Sequence, residues 1–356
     1  MSAPRDDRND GRPVFVAETE DVREFARLLR GVGLKHNAIM EVQESMMIVT
    51  VEDSRTLCAL SYIPTSIFST WTFHQPTDDP PMFEFSLDAM LQCLNIFGNA
   101  GSSGKDFSIK AKKRWAGEGD GLNLGGEERE DDRRFTRDKR GMTGMRMEWM
   151  GPGYELTLLL QDEHKGPTTT CSLRTLEPEE ILNPPFHLED LNLNMIMQSE
   201  SFRNALLDLP PSSNRITITA KPPYNGQDSE DDDDRAADAD ADESDANARR
   251  TRKVRQEQGQ FIIKAEGDLG TVELEHPNDR DIMQSFACVE GGMTFSYHSV
   301  HFAHLAKALQ GSIKICLQID DEGVLNAQIM VAEGDDIGGH RGLLEYKLQA
   351  LEDEAE

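Results

Sequence analysis

At 356 residues the chain is long enough to bury the cores of two ordinary domains. Lys and Arg number 37 against 65 Asp and Glu, a net charge of -28, so the totals point to no nucleic-acid or anionic-membrane partner and leave only a local concentration of positive charge to supply one. The five cysteines, Cys58, Cys93, Cys171, Cys288 and Cys316, form no CxxC pair, which argues against a disulfide framework or a zinc knuckle and fits small core residues in a reducing compartment.

The opening MSAPRDDRNDGRP has no apolar signal core, and no apolar run approaches the ~20 residues that span a bilayer. A soluble intracellular chain with a disordered tail over 1–13 is expected. From Val14, VFVAE alternates as a strand, DVREFARLLRGV has helical spacing, and HNAIMEVQESMMIVTVED with LCALSYIPTSIFSTWTF reads as three strands. A second unit opens with MFEFS and the helix LDAMLQCLNIF, meets an insertion rich in glycine and charge over Gly98–Gly141, and resumes with GMRMEWM, YELTLLLQD and TTTCSLRTLE. Apart from a short strand around Phe107–Ala111, that insertion lacks the apolar residues to offset the entropy of ordering it.

A Pro-rich acidic connector, RTLEPEEILNPPFHLED over 174–190, then separates two domains, with the boundary near Pro178–Pro185. The third unit has LNLNMIMQ, the helix SESFRNALLDL, RITITAK, an acidic-then-basic insertion over 225–259, QFIIKAEGD and GTVELEHP. The fourth runs GMTFSYH, the helix SVHFAHLAKALQ, SIKICLQID, VLNAQIMVA and GLLEYKLQA, before an acidic tail over 352–356. Four strand-helix-three-strand units in two pairs give an α+β fold built by repetition, with domains over 14–173 and 191–351.

Catalytic motifs are poorly supported. GNAGSSGKD is not a Walker A loop, because Asn99 stands at its first glycine and Asp106 at its magnesium-binding hydroxyl. His298, His301 and His304 are spaced three apart, but Cys288 and Cys316 are not placed to complete a zinc site, so ordinary surface or half-buried histidines are the better reading. No Gly-x-Ser-x-Gly elbow occurs. Acidic pairs such as Glu18 with Glu20 and Asp162 with Glu163 are too abundant to single out a two-metal nuclease, although a 3′ to 5′ exonuclease stays open as an alternative.

Positive charge is nevertheless patterned. On the first helix Val22, Phe25, Leu29 and Val32 share one side, and Arg23, Arg27 and Arg30 share the opposite one. The corresponding helices present Arg203 in the third unit and Lys307, beside His304, in the fourth, whereas the second presents Asp88, Gln92 and Asn95. Such rows suit either a solvated face or sequence-independent, salt-sensitive phosphate contact.

The order and spacing of these units resemble the DNA sliding clamps: SESFRNALLDLPPSSNRITITAKPP followed by FIIKAEGDLGTVELEHP is similar to the second domain of proliferating cell nuclear antigen. LDAMLQCLNIFG, GPGYELTLLLQD, TCSLRTLEPEE and MIMQSESFRNALLDL more closely resemble the Rad-one family of subunits of the DNA-damage checkpoint clamp, the nine-one-one complex. That resemblance implies a non-enzymatic nuclear subunit of a heterotrimeric ring around double-stranded DNA. Its helices would line the inner face, with no cofactor and no metal. Its implied partners are two other clamp subunits, a clamp loader, and checkpoint and repair proteins. It places DNA contacts on Arg23, Arg27, Arg30, Arg203 and Lys307, and a client-docking connector on Leu176, Pro178, Ile181, Leu182 and Pro184. It also places subunit edges on Tyr154, Leu156, Leu158 and Leu160, and on Gly270, Thr271, Val272, Glu273 and Leu274. Both insertions and the uncharged second helix depart from a homotrimeric replication clamp, which stays open as a further alternative. In the second insertion, RRTRKVR over Arg249–Arg255 reads as a nuclear import signal or as charge balance for the acidic run beside it.

Overall fold

The computed structural model describes residues 11–75, 79–100, 141–163, 166–223, 259–268, 270–277, 282–333 and 336–352. The N-terminal tail's first ten residues, the strand expected near Phe107–Ala111, the run Arg249–Arg255 and residues 353–356 lie outside the described residues. The chain divides into one unit of Met1–Val51 with Ser61–Glu180 and a second of Glu52–Leu60 with Ile181–Glu356. Among the described residues no helix is long and apolar enough to cross a membrane.

Apart from Glu52–Leu60, which falls in the second unit, the first unit holds β1 (Phe15–Thr19), α1 (Arg23–Gly31), β2 (Asn37–Val42), β3 (Met46–Asp53), β4 (Leu57–Pro64), β5 (Thr70–Phe73), β6 (Met82–Ser86), α2 (Leu87–Leu94), β7 (Thr143–Trp149), β8 (Leu156–Asp162), β9 (Thr168–Leu173) and the two-residue β10 (Thr175–Leu176). One sheet has the order β5-β1-β7-β8-β9, and the other strands follow β10-β6-β2-β3-β4. LCALSYIPTSIFSTWTF, expected as strand throughout, breaks after Pro64 into a short 3-10 turn over Thr65–Ile67 before β5. The core is aromatic: Phe83 packs at 4.4 Å between ring centroids against the fully buried Trp149, which also meets Phe15. Aromatic packing at this distance adds roughly 0.5–1.5 kcal/mol beyond area burial. Trp149 keeps its polar edge satisfied by donating Nε1–H to the carbonyl of Tyr154 at 3.2 Å.

Helix α1 buries Phe25, Ala26, Leu28 and Leu29, with Val22 and Val32 at its ends. The periodicity of those residues is what turns the arginines to the other side. Helix α2 starts on Ser86, whose hydroxyl accepts the Ala89 N–H at 3.3 Å in an N-cap. The insertion expected from Gly98 begins later than its glycines suggest. Ala100 is 1% exposed, and the Asn99 amide donates to Asp162 Oδ1 at 2.9 Å and to Thr143 Oγ1 at 3.3 Å, so the chain is tied down past that point.

The second unit holds β11 (Leu191–Gln198), α3 (Ser199–Asp208), β12 (Ser213–Lys221), β13 (Gln260–Gly267), β14 (Gly270–Pro277), β15 (Met283–Cys288), β16 (Met293–His298), α4 (Ser299–Ala308), β17 (Ser312–Asp320), β18 (Leu325–Glu333) and β19 (Asp336–Leu348). Its strands run β14-β13-β12-β16 in one sheet and β19-β18-β17-β11-β15 in another. Helices α3 and α4 pack on each other. Tyr297 is fully buried, stacks edge-on against Phe302, and donates its hydroxyl to the Gly323 carbonyl at 2.8 Å. Gly323 has φ +81°, and a Cβ there would sit 2.5 Å from the Phe295 ring, so only glycine fits this turn without displacement.

Candidate nucleic-acid interface and strand edges

Helix geometry carries Arg23, Arg27 and Arg30 at i, i+4 and i+7 along one side of α1, all half-buried. They are not equivalent. The Arg23 guanidinium is held by Asp21, with Nε at 2.9 and 2.7 Å from its two oxygens and Nη2 at 2.6 Å from Oδ2. Asp21 also accepts the Arg23 backbone N–H at 3.0 Å, so this carboxylate both starts the helix and aims the side chain. Arg30 donates Nη2–H to the Ala100 carbonyl, and burial, with a smaller contribution from Arg27, lowers its pKa. Beside it a cleft of about 400 Å³ is lined by Arg30, Asp88, Leu91, Gln92 and Asn95. Asp88 there contacts His36.

The second unit's helix surface is weaker in cations. Arg203 is half-buried with its Nε buried and without a hydrogen-bond partner among the described residues, while Lys307 is exposed. His298 is exposed, His304 half-buried, and His301 only 2% exposed. His301 Nε2 lies 3.1 Å from Thr56 Oγ1, and its Nδ1 is buried without a partner among the described residues. Burial chiefly, and the neighbouring His298 secondly, push its pKa down to about 4. The three histidines therefore present different environments, not one ligand set.

Among the described residues, the group whose ligand atoms come within 4.8 Å of one another is His187, Asp320 and Asp321, which sequence reasoning missed. Asp320 is fully buried. Its Oδ1 accepts the Val324 N–H at 2.8 Å and its Oδ2 the His187 N–H at 3.1 Å, so the carboxylate fastens the end of the connector to the turn after β17. Only the DD pair in QIDDEG hints at it; the His187 backbone partner lies 133 residues away.

The strand edges require a correction. Residues Leu156, Leu158 and Leu160, expected at a subunit edge, are fully buried in β8, which is hydrogen-bonded to β7 on one side and β9 on the other. Tyr154 is 55% exposed but precedes that strand. A strand with both neighbours in place has no free backbone row, so the sheet ends on this side at β9, Thr168–Leu173, with β5 as its other end strand. In the second unit β14 is an end strand of its sheet, with Gly270, Thr271 and Glu273 exposed and Val272 and Leu274 half-buried.

Along the connector Leu176 and Leu182 are 52% and 49% exposed, Pro178 and Ile181 are half-buried, and Pro184 is buried. Pro184 is thus withdrawn from any docking surface, contrary to expectation, and Leu188, 65% exposed, is an apolar side chain that sequence reasoning passed over. The Leu182 N–H donates to Glu52 Oε2 at 3.0 Å.

A family profile described as "Repair protein Rad1/Rec1/Rad17" matches residues 14–331, which takes in both units and the whole connector. The chain belongs to the Rad1 family. Similar proteins include human "Cell cycle checkpoint protein RAD1", 24% identical over 326 residues that cover 92% of this chain and 89% of that protein. "DNA damage checkpoint control protein rad1" of Schizosaccharomyces pombe is 24% identical over 320 residues, covering 89% and 81%. "DNA repair exonuclease REC1" of Mycosarcoma maydis is 24% identical over 282 residues, covering 71% and 58%. Rad1-family proteins have a fold of the sliding-clamp kind, and the sheets described above with their four described helices are compatible with it.

Proposed function

We propose that this Rad1-family chain is a non-catalytic subunit of a nuclear, three-subunit clamp that encircles duplex DNA and serves as a platform for checkpoint and repair proteins. The observation that carries the reading is the family match across residues 14–331, with human and fission-yeast relatives whose names are those of checkpoint proteins. In this reading 14–173 and 191–351 are two clamp domains, their sheets outside and α1 to α4 on the inner face. Arg23, Arg27 and Arg30, with Lys307 and Arg203, meet phosphates without reading bases, so binding is sequence-independent and falls steeply with salt. The open edges β9 and β14 receive strands of the two other clamp subunits, and a clamp loader opens the ring. Leu176, Leu182 and Leu188 on the connector supply apolar anchors for clients. Native mass measurement of the complex isolated from cells tests this. One copy of this chain with one copy of each of two other clamp subunits is expected, whereas a stable ring of this chain alone would favour a homotrimeric replication clamp.

The alternative reading, a 3′ to 5′ exonuclease, is not favoured by the checkpoint relatives, although the Mycosarcoma maydis relative carries the name of a DNA repair exonuclease. Among the described residues its metal would fall to His187, Asp320 and Asp321. Metal-dependent degradation of labelled DNA by the purified chain, abolished in Asp321→Asn, would decide for it.

A further inference from the structure

Two of the five cysteines meet in the first unit. Cys93 lies in the last turn of α2 and Cys171 in β9, far apart in sequence, yet their side chains are in hydrogen-bonding contact. Two local periodicities bring them together. On β9 Cys171 alternates with the exposed Thr170 and Ser172 and stands opposite the fully buried Leu158 of β8, which places it on the core side of the sheet. On α2 the buried residues are Leu87, Met90 and Leu94, and Cys93 borders that face beside Leu94. Helix and strand pack together, with Cα atoms within 8 Å. Both thiols are free and half-buried, whereas Cys58 is sealed in the core.

We propose that Cys93 and Cys171 form a reversible dithiol–disulfide site that staples α2 to the end strand β9 when the chain meets a hydroperoxide. The Cys171 sulfur attacks the outer peroxide oxygen and the O–O bond breaks. Cys171 becomes a sulfenic acid, and an alcohol leaves, or water where the oxidant is hydrogen peroxide. The Cys93 sulfur then attacks the Cys171 sulfur, the S–O bond breaks, and the hydroxyl takes the thiol proton and leaves as water. Two thiols give up two electrons and the peroxide receives them. Burial chiefly, and then the contact with Cys171, pushes the Cys93 thiol up to about 11. Cys93 therefore stays protonated at neutral pH and acts on a sulfur already beside it, not on a dissolved oxidant. A dithiol reductant reverses the bond by exchange. The staple matters to β9 because that strand ends its sheet, paired with β8. The bond supports it from the helix and closes a loop of about 80 residues, which constrains the unfolded chain. A reducing compartment admits such transient pairs while excluding a permanent disulfide framework. The chemistry requires no other subunit.

The test treats the purified full chain with hydrogen peroxide, blocks the remaining thiols and maps cross-linked peptides without reductant. A Cys93–Cys171 linkage is expected, with the thermal midpoint raised by roughly 5–15 °C and brought back by dithiothreitol. Cys93→Ser and Cys171→Ser should each abolish the linkage and the rise, while Cys288→Ser should keep both. Mapping in the unaltered chain decides the matter even where a serine variant folds poorly. Cys93 and Cys171 that stay reduced, pair with other cysteines or advance separately to sulfinic acid would overturn the proposal. A linkage that leaves the midpoint unchanged would refute the staple.

Discussion

The helix surfaces of the two units are built on different chemistry. In the first, α1 lines up three arginines, of which Arg23 is aimed by the Asp21 carboxylate and Arg30 is held by the Ala100 carbonyl. In the second, Lys307 stands exposed with exposed Val300 and Leu207, and the other groups that could be positive, Arg203 and His304, are half-buried. Burial lowers the pKa of His304, with Lys307 contributing, so it adds little charge at neutral pH. Among the described residues, a chain of net charge -28 thus carries three of its helix-surface arginines on one helix, α1. Where phosphate is the ligand, that predicts a grip dominated by the first unit and a second unit that mainly provides shape.

Acid breaks the comparison most strongly, because it acts on the second unit. His301 is neutral in the fold with a pKa of about 4, against an ordinary value near 6.5 that it regains on unfolding. Stability is therefore unaffected above about pH 6.5, declines as pH falls toward 4, and levels off below, a total loss of about 3 kcal/mol from this group. Unfolding by denaturant at pH 7.5 and pH 4.5 should show the decline, and His301→Leu should flatten it. An identical decline in that variant would show that other groups carry the acid sensitivity.

The arginine row sharpens the comparison at the level of binding. Replacing Arg23, Arg27 and Arg30 by alanine should leave folding and assembly intact and flatten the slope of log affinity against log salt by about 0.9 for each phosphate that is no longer neutralised, hence about 2–3 in all. Replacing Arg203 and Lys307 should flatten it by about 1, since Lys307 alone is well exposed. Equal slopes for the two variants would mean that both units grip alike. The smallest effect is local to the first unit. Ser86→Ala removes the cap of α2 and should cost about 1 kcal/mol by chemical denaturation. Helices α3 and α4 have no side-chain cap to lose.

Much of this was legible in the residues, and the exceptions have a common cause. The 3.6-residue spacing of Val22, Phe25, Leu29 and Val32 placed α1 and its arginines, and period-two runs such as RITITAK placed strands, because both signals are local. The edge that the family resemblance placed on YELTLLL fell one strand short, and alternation there could not correct it, because it says that one face of β8 is buried and nothing about whether a strand lies on each side; that is fixed by β9, after the turn. TTTCSL, rich in hydroxyls, held a clue to an exposed row. Asp320 looked like any of 65 acidic residues until the fold delivered the His187 and Val324 amides to it. Asn99 likewise gained its role from Asp162, 63 residues on.

Topology tests the central claim most directly. The complex of this chain with two other clamp subunits, loaded on closed circular DNA by a clamp loader, should remain bound through a high-salt wash and leave when the circle is cut once. Release from the intact circle at the same rate as from linear DNA would contradict a ring around the duplex and reduce the α1 arginines to an ordinary salt-sensitive surface.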